Sequence, residues 1–291
     1  LASKKWRVVL NGVLQFSLNA VDPYFYATAE ESMLSPLQSA NLDLDPTNPA
    51  GDISLITATN SNGTYINADG DVTASTANTV RIDNSLGYPA ILAEPAVVQM
   101  VSYSEPTIAQ ATTFGAGLTD DATDDRGLDV NWIQFPSDVS GVIHFVYPAL
   151  TTAIDGVSDY VLSCFVRMDD GGVPVVGTST VGDMSLSING STTAGTAGGV
   201  EDLGGGLYRV WAYSAAPPVS ANNGVLKYTT QSTRGFKVSG FQMEKVTSNN
   251  PSSYIPATGS GATRTADVYL IDGTNFSDFW NPVEGTWYIE H

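Results

Sequence analysis

Residues 158–170 read SDYVLSCFVRMDD. Tyr160, Leu162, Cys164, Val166 and Met168 recur every second position. In an extended chain alternate side chains point to opposite faces, so the stretch predicts a β-strand with one apolar face against a core. It stops at Asp169-Asp170-Gly171-Gly172, a cluster of turn-forming residues. The chain's single cysteine lies on the apolar face, so Cys164 reads as a small buried hydrophobe, and no intrachain disulfide can form.

The pattern spreads outward from there. VNWIQFPS (130–137), GVIHFVYPAL (141–150) and DMSLSING (183–190) alternate or run apolar over strand length, as do GVLKYTT (224–230) and RGFKVSGFQMEKV (234–246). GGVEDLGGGLYRVWAYSA (198–215) reads as a hairpin about Gly204-Gly205-Gly206. Leu207, Arg209 and Trp211 take one facing there, and Tyr208, Val210 and Ala212 the other. Short strands at about ten-residue spacing, divided by Gly-rich turns, predict a β-sandwich or barrel. No long amphipathic helix interrupts them, which argues against an α/β enzyme fold. Residues 51–104 form a β-rich connecting region, with short strands flanking Asn62-Gly63 and a turn at Asp69-Gly70. Residues 1–50 differ. An Asn11-Gly12 hairpin signal is followed by YATAEESMLSPL (26–37), read as a short helix stopped by Pro36, and then by a Pro-punctuated loop.

Only 14% of the 291 residues are charged, and the net charge is −18. Such an acidic surface repels phosphate, so sequence-independent nucleic-acid binding is excluded as a main activity. No apolar run reaches the roughly 18 residues of a membrane helix, and no secretion leader is visible. The chain begins with Leu1 rather than Met, as expected of a processed or partial chain.

The segment GFQMEKVTSNNPSSYIPATGSGATRTAD (240–267) resembles a signature common in tail-fibre and other virion-surface proteins of tailed bacteriophages: Gly-x-Gln-Leu-Glu, a loop, Thr-Ser-Tyr-Ile-Pro-Thr, then Thr-Arg-x-x-Asp. The matching residues are Gly240, Gln242, Glu244, Ser253, Tyr254, Ile255, Pro256, Thr263, Arg264 and Asp267; Met243 replaces the usual Leu and Ala257 the second Thr. EDLGGGLYRV (201–210) is similar to that family's Asp-Leu-Gly-x-Gly-x-Tyr-Arg hairpin. Residues from about 60 look like the region preceding it, with Gln99-Met100 where Asn-Leu is usual. The resemblance covers about residues 60–291 and implies an all-β fold: a jelly-roll sandwich of carbohydrate-binding-module type over 105–250, then a strap and the beginning of a second, concanavalin-A-like sandwich over 251–291. It also implies a non-enzymatic structural protein of the virion surface, a tail or surface fibre presenting the sandwich for attachment to host-surface glycan. The alternatives are a capsid-attached head fibre or decoration protein, and the binding part of a polysaccharide depolymerase or glycoside hydrolase. Phage fibres are commonly trimeric, so a homotrimer is the expected assembly. Residues 1–50, which the resemblance does not reach, are expected to be the segment that binds other virion proteins.

Candidate residues follow. Gln242, Glu244, Tyr254, Pro256, Arg264 and Asp267 are expected to form a structural strap. Its prolines cannot supply ladder N–H groups, so it is placed at an edge or between domains, with Tyr254 and Ile255 plugging an apolar seam and Arg264 pairing with Asp267 or Glu244. Lys4, Lys5, Arg7, Tyr24, Phe25 and Tyr26 are the anchoring candidates, because they combine the cation cluster with side chains enriched at interface cores. Aromatic rings stack on sugars, which makes Tyr208, Tyr213 and Trp132 the candidates for glycan contact. Asp120, Asp121, Asp124 and Asp125, with Asp129 nearby, offer hard oxygen ligands suited to Ca²⁺, the one cofactor considered, although the spacing is not that of an EF-hand. Asn67, Asp69 and Asp71 read as a β-turn. For catalysis the chain offers two histidines, His144 and His291, without a Gly-x-Ser-x-Gly elbow, so no catalytic residue is assigned.

Overall fold

The computed structural model describes residues 14–15, 25–27, 44–48, 50–122, 126–128, 131–137, 141–188, 191–192, 198–219 and 222–277. β1 (Leu14–Gln15), β2 (Phe25–Ala27), β3 (Thr57–Thr59), β4 (Thr64–Ile66), β5 (Val72–Ala74), β6 (Arg81–Asp83) and β7 (Ala90–Ala93) come first. The main body comprises β8 (Val97–Gln99), β9 (Ala111–Phe114), β10 (Thr119–Asp121), β11 (Trp132–Phe135), β12 (His144–Pro148), β13 (Asp159–Met168), β14 (Ser185–Ile188), β15 (Ser191–Thr192), β16 (Gly198–Asp202), β17 (Tyr208–Ser214), β18 (Gly224–Lys227), β19 (Phe236–Val246) and β20 (Ala262–Arg264). β21 (Val268–Ile271) and the short helix α1 (Gly273–Ser277) follow.

Two sheets dominate. The larger has the order β10-β11-β19-β13-β17-β16, with β8 beside β19 and β20 beside β8; the smaller has the order β15-β14-β18-β12-β9. Their facing sides share one core. Tyr160, Leu162, Cys164, Val166 and Met168 of β13 meet Val146 of β12, Leu186 and Ile188 of β14, and Val225 of β18. The fold is therefore an all-β sandwich, and the face read from SDYVLSCFVRMDD is the buried one. The Gly204–Gly206 hairpin forms as expected: Asp202 pairs with Tyr208, and all three glycines take positive φ (79°, 57°, 77°).

The outward side of the larger sheet is buried too. Phe165 of β13 and Trp132 of β11 pack with Tyr254 of the strap, Val72 of β5, Leu128 and Leu207 in a second core. A third layer, made of the strap and the β4–β5 hairpin, thus covers this sheet. β13 consequently has a nearly continuous buried pattern rather than the alternation of a half-exposed strand.

A bulge sets the phase of β19. Between the pairs Phe165↔Ser239 and Ser163↔Gln242, β19 advances three residues while β13 advances two. Gly240 lies in that step at φ 59°, where a Cβ would run into the Phe165 ring. Because side chains alternate, one extra residue exchanges the faces. Val238 and Phe236 face the sandwich core before the bulge, Phe241 and Met243 face it after, and Gln242 and Glu244 turn outward to the strap.

Several expectations change at the chain's ends. Tyr26 and Ala27 lie in β2, paired with Leu92 and Ile91 of β7, so the segment read as helix from 26 opens as strand; its remainder lies outside the described residues. Lys4, Lys5, Arg7, Tyr24 and the Asn11-Gly12 turn also lie outside them. In the stretch read as the start of a second sandwich, β21 pairs with β3 and β1 and closes onto the N-terminal region, where Tyr269 packs with Ile53, Ala58 and Ile91, and residues 278–291 lie outside the described residues.

Candidate functional site

The open side of the smaller sheet carries three stacked aromatic rings. In HFVYP of β12, His144, Val146 and Pro148 are buried while Phe145 and Tyr147 point outward and are half-buried. Phe114 of β9, half exposed, stands directly opposite Phe145. The Phe114 and Phe145 rings lie 5.7 Å apart at 17°, and those of Phe145 and Tyr147 4.4 Å apart at 15°. On the neighbouring strand a Cβ at Gly224 would run into Val146 O and the Tyr147 ring, so glycine there gives Tyr147 its place. Burial, with Tyr228 beside it, pushes the Tyr147 phenol up to about 12, so its hydroxyl keeps its proton at physiological pH. Thr112, exposed and opposite Tyr147, adds a second hydroxyl.

This band carries no charge. The two basic residues of β12 and β18, His144 and Lys227, are buried on the other side. His144 Nε2 lies 2.6 Å from Ala116 O, and Lys227 Nζ donates to Pro136 O at 3.0 Å. Rings held against one another have few rotamers left to lose, so the band is preorganised to meet a flat apolar surface with hydroxyls at its rim.

The aromatic residues singled out from sequence lie elsewhere. Trp132 is fully buried in the outer-layer core, with Lys237 Nζ 5.0 Å from its ring centroid. Tyr208 is 5% exposed. Neither ring presents a face to solvent. Tyr213 is half-buried, and its hydroxyl donates to Asp159 Oδ2 at 2.7 Å. The true surface rings were foreshadowed by HFVYP, whose alternation puts Phe145 and Tyr147 together. Nothing local ties them to Phe114, and nothing local says which side faces out.

The strap residues converge, but with other partners than expected. Arg264 Nη1 pairs with Glu94 Oε2 at 2.9 Å, and Arg81 Nη1 reaches the same oxygen at 2.8 Å. Asp267 pairs with Arg81 Nη2, not with Arg264. Glu244 instead accepts from Ser252 N and Oγ, both at 2.8 Å. Gln242 Oε1 accepts from Ile255 N at 2.8 Å. Tyr254 donates to Glu105 Oε1 at 2.7 Å, its hydroxyl oxygen lies 2.8 Å from Ser104 Oγ, and its ring meets Phe165 edge-on at 5.3 Å. Tyr254 and Ile255 are buried, while Pro256 is exposed. The strap first runs between the larger sheet and the N-terminal strands, where buried side chains hold its backbone groups, and then ends as β20, an edge strand paired among the described residues with β8 alone.

Of the acidic cluster, only Asp120 and Asp121 lie among the described residues. Asp120 Oδ1 caps Ile108 N at 2.7 Å, and Asp121 pairs with Lys237 at 3.2 Å. Asp124, Asp125 and Asp129 lie outside the described residues. Among the described residues no group of three His, Cys, Asp or Glu is placed to hold a metal ion. Asn67 Oδ1 accepts from Asp69 N and Asp71 N, which makes the expected turn.

No family model matches the chain, and no curated protein matches it. Among solved structures it is similar to the CBM22-1–GH10 modules of the Clostridium thermocellum endo-1,4-β-D-xylanase 10B complexed with xylohexaose. There the identity is 14% and the TM-score 0.37, over 54% of this chain and 30% of that one. It is also similar to the CBM22-1 xylan-binding domain of Paenibacillus barcinonensis Xyn10C, at 13% identity and TM-score 0.34, over 54% of this chain and 99% of that one. Superpositions this loose do not specify a topology, and the sandwich rests on its own strand register.

Proposed function

We infer that this chain is a non-catalytic structural protein of a tailed-phage virion surface, whose sandwich binds neutral glycan on the Phe114–Phe145–Tyr147 band. The observation that carries the glycan reading is the band itself: three stacked, uncharged rings with phenol and threonine hydroxyls, on an open sheet face of a chain whose net charge is −18. An acidic protein disfavours acidic glycans by long-range repulsion, so the uncharged band fits a neutral sugar. The phage reading is supported by the 240–267 signature. Its Gly240, Gln242, Glu244, Tyr254 and Arg264 are the residues that set the bulge and bind the strap. A fibre presenting several copies gains avidity of about 10²–10⁴ from weak single sites, which fits a small, shallow band.

The test is a neutral-glycan array probed with the intact protein, Phe114→Ala and Tyr147→Ala. Loss of one stacking ring removes about 1 kcal/mol, roughly a fivefold drop per site. Array signals unchanged in both variants overturn the glycan site. Cryo-electron microscopy of particles decides between tail and capsid locations, and absence of the protein from particles overturns the virion reading. Light scattering of the intact chain tests the trimer. Hydrolysis of any bound glycan in the same assays would favour the depolymerase alternative.

A further inference from the structure

On the opposite side of the larger sheet a cleft runs under the N-terminal layer. It is lined by Tyr65, Ile66, Asp83 and Leu92 from that layer and by Phe165, Glu201, Leu203 and Arg209 from the sheet. Arg209 and Glu201 are cross-strand neighbours on β17 and β16, yet no ion pair closes between them. Arg209 is 6% exposed, its Nε has no partner, and Nη2 donates to Ser163 Oγ at 3.1 Å. Its guanidinium lies over the Phe165 ring, 5.6 Å from the centroid. The half-buried Glu201 carboxylate has no hydrogen-bond partner among the described residues. Burial, with Asp83 nearby, pushes its pKa up against the pull of Arg209. Asp83, by contrast, is satisfied by Ile66 N and Ser85 N at 2.7 and 3.0 Å.

Buried polar groups left without partners are rare in folded proteins, because each one forfeits its hydration. Here Arg209 Nε is such a group, and beside it the partly exposed Glu201 carboxylate lines the same cleft outside any hydrogen bond among the described residues, while Phe165, Ile66, Leu92 and Leu203 supply apolar surface. An anion entering it would face Glu201 and Asp83, and a cation would face Arg209. A neutral ring with hydroxyls on adjacent carbons accepts from the guanidinium, donates to the carboxylate and lays its C–H face on the apolar wall. We propose that this cleft is a second binding site, separate from the aromatic band, which takes the edge of a single neutral monosaccharide such as the end of a glycan chain. Its closed part holds only a handful of waters, so it admits part of one ring and not an oligosaccharide.

The experiment is a titration of the full chain with glucose, galactose, mannose and N-acetylglucosamine, followed by amide chemical shifts. Glucuronate and glucosamine serve as the charged arms. The expected result is saturable shifts at Ile66, Glu201, Leu203 and Arg209 with at least one neutral sugar. Glu201→Gln should weaken them about tenfold or more, and Leu203→Trp, which fills the cleft without touching its polar groups, should abolish them. Shifts at Phe114, Phe145 and Tyr147 report the aromatic band independently, so either site can fail without the other. The proposal is overturned if no neutral sugar shifts the cleft amides, if only a charged sugar does, or if both variants bind like the unmodified chain.

Discussion

At the residue scale, the strongest constraint is the buried cluster of Arg81, Arg264, Glu94 and Asp267. Burial pushes Glu94 up, but Arg264 and Arg81 outweigh it and hold the carboxylate below the ordinary glutamate value. Removing one cation leaves buried charge uncompensated, so Arg264→Met should lower stability by about 3–5 kcal/mol in chemical denaturation. A change under 1 kcal/mol would mean that Arg81 alone satisfies Glu94. Glu201 behaves in the opposite sense. Its folded-state pKa is raised by burial first, so ionising it in the folded protein is unfavourable, and stability falls as pH rises from the ordinary glutamate value through the raised one. Glu201→Gln should therefore raise Tm at pH 7 and leave it unchanged below pH about 4, where both forms are neutral. Equal Tm values at pH 7 would show that the carboxylate is solvated. Arg264 was legible in the sequence as a strap residue, but its pairing with Glu94 was not, because the two lie 170 positions apart and nothing near either marks the other.

At the element scale, β19 and the strap depend on one glycine. Gly240 holds φ 59° against the Phe165 ring. An alanine there adds left-handed strain and a steric clash, each of order 1–3 kcal/mol. Gly240→Ala is expected to lower Tm and to change the near-ultraviolet signal of the Phe165–Tyr254 pair. An unaltered Tm would show that β19 can shed its bulge. Gly224→Ala tests the other sheet in the same way: its Cβ would displace the Tyr147 ring, so glycan binding should fall along with stability. The period-two strands were plain from alternation, and Gly240, Gln242 and Glu244 stood out as a motif. The bulge that turns Gln242 and Glu244 toward the strap was not visible, because it is defined by the register against β13 rather than by the local sequence.

At the whole-molecule scale, among the described residues neither main sheet contains a strand from residues 1–50. Deleting those residues should leave a β-rich, cooperatively folding protein by circular dichroism, although β7 and β21 lose an edge partner each. Loss of cooperative unfolding would mean that the N-terminal strands hold the third layer in place. Acid should destabilise the intact molecule. Glu94's depressed pKa supplies stability that is complete above the ordinary value of about 4.5 and is lost as pH falls through the folded-state value. A thermal-stability profile flat from pH 6 to pH 3 would contradict this. What the sequence determined by itself was the all-β class, the inward face of β13, the Gly204–Gly206 hairpin and the structural character of the 240–267 segment. Each depends on periodicity or turn chemistry within a few residues. Only the tertiary structure decided that the larger sheet is covered on both faces, that Trp132 and Tyr208 lie inside while Phe114, Phe145 and Tyr147 form the open aromatic band, and that Arg264 answers Glu94. The outward side of a strand is set by what packs on it, and here the covering strap and hairpin come from distant parts of the chain, whose pairing no local pattern encodes.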